Sequence, residues 1–87
     1  MAKMTPVREG SAVAFAGVLA LLERRERVAS INYAGERDRI RDDDRAAVPA
    51  MSAEEREEAE IELHRTSARW TEALEALAEV RALVRRL

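Results

Sequence analysis

From Ser52 to Leu87 the chain contains neither glycine nor proline, and nothing in that stretch would stop a helix. About 35 residues at 1.5 Å each make a rod of ~50 Å. Its start is marked by Ser52-Ala-Glu-Glu55, the residue types of a capping box: a serine oxygen accepts from the backbone N–H three residues on, and Glu55 reaches back. Within it Leu63, Trp70, Leu77 and Val84 recur every seven residues, and Thr66, Ala73, Val80 and Leu87 follow three later. That is the a/d spacing of a coiled-coil seam. Leu74 and Leu83 flank the seam and widen the apolar stripe toward what a bundle helix needs, so the helix should touch more than one neighbour.

The residues before it read as a second helix of similar length. Thr5-Pro6 has the types of an N-cap and first helical position, and Gly10-Ser11 offers a later start. No proline follows until Pro49, which biases Val48 out of the helical region. The expected elements are a first helix over about 7–45, a connector over about 46–51 and a second helix over about 52–87. Gly35 costs roughly 1 kcal/mol against alanine in a helix interior and marks the expected bend or break. The first helix shows one stripe of Ala14, Val18, Leu21, Val28 and Gly35, and an adjacent one of Phe15, Val18, Leu22 and Ala29. Arg25 and Asn32 continue the four-three spacing, as polar seam residues that set register or as positions the helix turns outward.

The fold class expected is therefore all-α: a single domain over 1–87, made of two long antiparallel helices in a helical hairpin. Its first helix is apolar nearly all round at the start, which one partner helix cannot enclose. Pairing of two hairpins into a four-helix bundle, or a larger helical oligomer, would enclose it. The residues expected at such interfaces are Val18, Leu21, Leu22, Val28, Leu63, Trp70, Leu74, Leu77 and Val84, with Trp70 as anchor or as intrachain core.

Composition agrees with a need for a partner. Seventeen of the 87 residues are alanine, there is no cysteine and only one histidine, so neither disulfide nor cysteine-based metal site can support a thin core. Net charge is −2, which offers no general attraction to nucleic acid or anionic membrane. Charge is instead sorted. The six glutamates from Glu54 to Glu62 suit the start of the second helix, and Arg81, Arg85 and Arg86 suit its end. In a hairpin the acidic start should face Arg37 to Arg45. Arginine and alanine usage suggests a GC-rich bacterial or phage gene.

The run from Ser11 to Leu22, twelve residues followed at once by Glu23-Arg-Arg-Glu-Arg27, is too short to span a bilayer and lacks a cleavage site. A buried helix segment and a cytoplasmic location, or a particle assembled there, are expected, with no membrane partner. His64 has Glu60 one turn before it, but the residue three before it is Ile61, not the glutamate that bundle metal sites use. Asp42-Asp43-Asp44 lacks loop glycine and distal glutamate, and reads as a solvated helix end. No phosphate loop or nucleophile set is present, so no cofactor, no metal, no small molecule and no enzymatic role are expected. Arg24, Arg25, Arg27, Arg37, Arg39 and Arg41 are interleaved with acids, and Tyr33 alone offers no stacking platform; nucleic-acid binding by this chain alone is not expected.

Val7-Arg8-Glu9, with Val18-Leu-Ala-Leu-Leu-Glu-Arg-Arg25 and Val28, resembles the first helix of the all-helical chorismate mutases. That resemblance implies a carboxylate-binding pair in Arg8 and Arg25. It covers under a third of the chain. Ala-Val-Ala-Phe-Ala replaces the family's pattern between the arginines, the lysine position falls near Glu36, and the second helix has no break for a third. The function expected is a non-enzymatic helical interaction or oligomerisation module, such as a regulatory, adaptor or assembly subunit, whose partner is a second copy or another helical protein. The alternatives are a small enzyme of chorismate mutase type and a DNA-associated phage packaging subunit.

Overall fold

The computed structural model describes the backbone of residues 4–86 and the side chains of residues 13–86. Two helices account for nearly all of it: α1, Met4–Arg45, and α2, Ala53–Arg85. Three contacts between the helices run in opposite chain directions and make the pair an antiparallel hairpin. Asp43 meets Arg56 next to the connector, Glu26 meets Trp70 midway, and Glu23 meets Arg81 toward the open end. The all-α helical hairpin read from the sequence is the fold.

On α2 the heptad phase is the one expected. Ala59, Thr66 and Ala73, seven residues apart, are buried along with Leu77, while Leu63, Trp70, Val80 and Val84 are half-buried. Small side chains at every second seam layer let the helices approach closely. The Thr66 hydroxyl donates to the Glu62 and Leu63 carbonyls at 2.9 and 3.0 Å, so its polarity is satisfied within its own helix and its methyl is left for the seam.

On α1 the seam follows the second of the two stripes and continues it over the whole helix. Phe15, Leu19, Leu22, Glu26, Ala29, Tyr33, Glu36, Ile40 and Asp43, alternately four and three apart, are each half-buried or buried. The first stripe faces outward: Ala14, Val18, Leu21, Val28 and Gly35 are exposed. Arg25 and Asn32 are exposed as well, and the polar seam positions are Glu26 and Glu36 instead. Glu36 leaves its buried Oε2 without a hydrogen bond, 3.8 Å from Arg39.

The connector is held by one aspartate. Asp43 accepts the Met51 backbone N–H at 3.0 Å with Oδ1 and an Arg56 N–H at 3.2 Å with Oδ2. Arg56 also donates to Asp44 at 2.6 Å and to Glu60 at 3.1 Å. The reading of Asp42-Asp43-Asp44 as a wholly solvated helix end is thus corrected at Asp43, which is buried because it supplies the acceptors that the turning backbone needs. Ser52 caps α2 by accepting the Glu55 N–H at 3.1 Å. Among the described hydrogen bonds the return bond from Ser52 N–H to the Glu55 carboxylate is absent.

Three further expectations are corrected. α1 passes through Gly35 without a break, because the seam residues on either side, Tyr33 and Glu36, hold both halves against α2 and offset the glycine's modest cost. It also begins at Met4, ahead of the expected start near residue 7, since proline is tolerated in the first turn. Nor do the glutamates at the start of α2 pair with Arg37–Arg45. Arg37 and Arg41 meet Asp38, Arg39 lies near Glu36, and Arg65 meets Glu62, because neighbours on one helix are closer than partners across the hairpin.

The result is a rod of 73 × 15 × 14 Å with a radius of gyration of 20.1 Å, against about 12 Å for a globular chain of this length. Its accessible surface is 6910 Å², about a third more than the roughly 5,200 Å² of a globular monomer of 9.8 kDa. No large side chain among the described residues is fully enclosed.

Candidate helix-docking surface

Because α1 is apolar beyond its seam, closing the hairpin leaves hydrophobic side chains outside. Val18, Leu21 and Val28 are 43%, 68% and 51% exposed, on one flank of α1. Leu21 and Val28 border a groove of about 700 Å³ between the helices. Its floor is Ala29, Thr66, Ala73 and Ala76, and its walls include Leu21, Val28 and Asn32. The small floor residues belong to or adjoin the seam, so the same alanines that bring the helices together also deepen the groove beside them.

Of the nine interface residues expected from sequence, five lie in the hairpin's own seam: Leu22, Leu63, Trp70, Leu77 and Val84. Trp70 is fully engaged there, with its indole N–H on Glu26 at 3.1 Å and its ring stacked on Tyr33 at 5.3 Å between centroids. Arg37 lies over the Tyr33 ring, 5.9 Å from its centroid. Val18, Leu21 and Val28 form the outward stripe. Leu74, 43% exposed, projects from the opposite flank of α2, the side on which Arg81 approaches Glu23.

The groove carries charge that sequence reasoning did not place. Arg24, Arg25, Arg69 and Glu72 line it. None of the four is in an ion pair among the described residues, although Arg37, Arg39, Arg41, Arg56, Arg65 and Arg81 all are. The signal that could have found them is the phase of α1: once Phe15, Leu22 and Ala29 are put inward, Leu21, Arg25 and Val28 share the flank. Read on its own, α1 offered both phases.

The connector end of the hairpin carries the other electrostatic feature. The Arg56 guanidinium bonded to Asp44 holds that carboxyl below its ordinary value of 3.8, and the same bonds raise Arg56. This clasp joins the two helices. Glu60 is committed to Arg56, and His64 stands exposed on α2. Among the described residues no three His, Cys, Asp or Glu side chains are grouped to hold a metal ion. No described helix is long and apolar enough to cross a membrane.

Of the arginine pair implied by the chorismate mutase resemblance, Arg25 lies on the groove wall and the side chain of Arg8 lies outside the described residues. No protein-family model, curated protein or solved structure matches the chain, so what the hairpin does has to be argued from its own surface.

Proposed function

We propose that this protein is a non-enzymatic helical interaction module that works by offering the Val18–Leu21–Val28 flank to another helix. The observation that carries the reading is the apolar flank of Val18, Leu21 and Val28, left 43%, 68% and 51% exposed on a 73 Å rod in which no large side chain among the described residues is fully enclosed. A helix laid along a groove between two helices buries such a stripe and completes a bundle. Four-helix pairing of two hairpins and docking of a different helical protein are both forms of this activity. A cytoplasmic regulatory, adaptor or assembly role in a bacterium or phage is the setting that suits it.

The test is solution mass by light scattering over a hundredfold concentration range, with far-ultraviolet circular dichroism, on the natural chain and on Leu21→Lys/Val28→Lys. The expected result is a helical assembly whose mass falls to that of one chain in the double variant. If the variant is instead a chain that melts well below the natural one when both are monomeric, the stripe serves the fold and the reading fails.

A further inference from the structure

We infer that the occupant of the groove is a second copy of this chain, in a dimer whose two-fold axis runs along the length of the hairpin. This rests on the reading of the flank as a helix-docking surface and names its partner. Four charged side chains left without an ion pair among the described residues point to that partner. Arg24 and Arg25 on α1 make no ion pair among the described residues, and neither do Glu72 and Glu79 on α2. Along the rod the arginines stand at a height between Glu72 and Glu79, which are two turns apart on α2. The arginines lie between Glu23 and Glu26, and the glutamates lie between Trp70 and Arg81, the residues that Glu26 and Glu23 contact across the seam.

A rotation about the rod's long axis keeps every residue at its height and sets α1 of one copy against α2 of the other. Arg24 and Arg25 then face Glu72 and Glu79 of the second copy, twice by symmetry. The apolar residues match in the same arrangement: Leu21 meets the small Ala76, and Val18 meets Leu83, itself 48% exposed. Arg69 comes opposite Asn32, an uncharged residue. A two-fold axis across the rod is disfavoured by the same residues. It would set α1 against α1 and bring Arg24 and Arg25 onto their own copies at the middle of the groove. A standard interface takes about 800 Å² from each partner, about half of the surface by which this rod exceeds a globular chain, so a dimer would bring the exposed area back toward that of a globular protein.

The geometry makes a reciprocal test possible. Arg24→Glu/Arg25→Glu puts acid against acid, and Glu72→Arg/Glu79→Arg puts base against base, so each variant alone should self-associate at least ~10-fold more weakly than the natural chain. Mixed in equal amounts, the two should form a heterodimer, because both sides of that interface are then complementary. Native mass spectrometry reads the three species directly, and circular dichroism reports folding. A single chain carrying all four substitutions should regain the homodimer, which keeps the test decisive if either variant is poorly folded alone. A natural dimer that tolerates both swaps, or a mixture with no heterodimer preference, overturns the proposed arrangement. A natural chain that stays monomeric throughout overturns the second copy as occupant and leaves the flank to a helix of another protein.

Discussion

The indole N–H of Trp70 donates to Oε1 of Glu26 at 3.1 Å, joining residues 44 positions apart across the middle of the hairpin. Two turns along α1, Tyr33 stacks on the same indole, and the small Ala29 lies between the two on the seam. A carboxylate in a seam position costs stability unless it is bonded, and Trp70 supplies that bond. The pairing also selects register, because a slip of one heptad would leave Glu26 without its donor.

Trp70→Phe should therefore cost about 1–2 kcal/mol, since it keeps most of the ring's packing and orphans Glu26. Glu26→Gln, which retains an acceptor, should cost less. Trp70→Ala should cost about 3 kcal/mol through lost contact and the void left beside Ala29. Urea unfolding followed by circular dichroism checks all three, and equal losses in Phe and Gln variants would show that the bond contributes nothing.

Asp43 is expected to be the most sensitive polar residue near the connector. Its side chain is 7% exposed and serves both the Met51 N–H and Arg56, so Asp43→Ala should destabilise by about 2–3 kcal/mol and speed hydrogen exchange at the Met51 amide. Asp42→Ala, next to it and exposed, should stay within about 0.5 kcal/mol.

Acid should open the clasp in a defined direction. Arg56 lowers the Asp44 pKa from 3.8 in the folded chain, so between the lowered value and 3.8 the unfolded chain binds more protons than the folded one. The contribution of this contact is then complete above about 3.8 and is lost as pH falls through the lowered value. A carbon-detected NMR titration of the Asp44 carboxyl should show the depressed midpoint, and Arg56→Met should return it toward 3.8.

Gly35→Ala should stabilise the hairpin by about 0.5–1 kcal/mol. The position is helical and exposed, and a β-carbon there meets nothing within 4 Å. A melting temperature raised by several degrees is the expected reading, and a lowered one would place a bend at Gly35 after all.

Much of this structure is legible in the linear chain for a simple reason. On α2 the large and small seam residues repeat at sevens, Ser52 announces the cap, and Pro49 marks the connector, so each signal is local and agrees with its neighbours. The first half of α1 is different. From Ala12 to Leu22 nearly every residue is apolar, two stripes one residue apart are almost equally hydrophobic, and periodicity alone cannot rank them. The burial of Asp43 was hidden for a related reason: a run of three aspartates looks alike from the sequence, and only the return of the backbone at Met51 distinguishes the middle one.

The sequence by itself determined that there are two long helices, where they are joined, and which face of α2 is the seam, because helix length, capping and heptad spacing are properties of neighbouring residues. Only the tertiary structure decided the rotation of α1 about its axis. Docking against the fixed seam of α2 turned Phe15, Leu22, Ala29 and Tyr33 inward, bonded Glu26 to Trp70, and thereby placed Leu21, Arg25 and Val28 on the flank with Glu72. The candidate site is the face left over when two helices choose how to meet, and that choice depends on both helices at once.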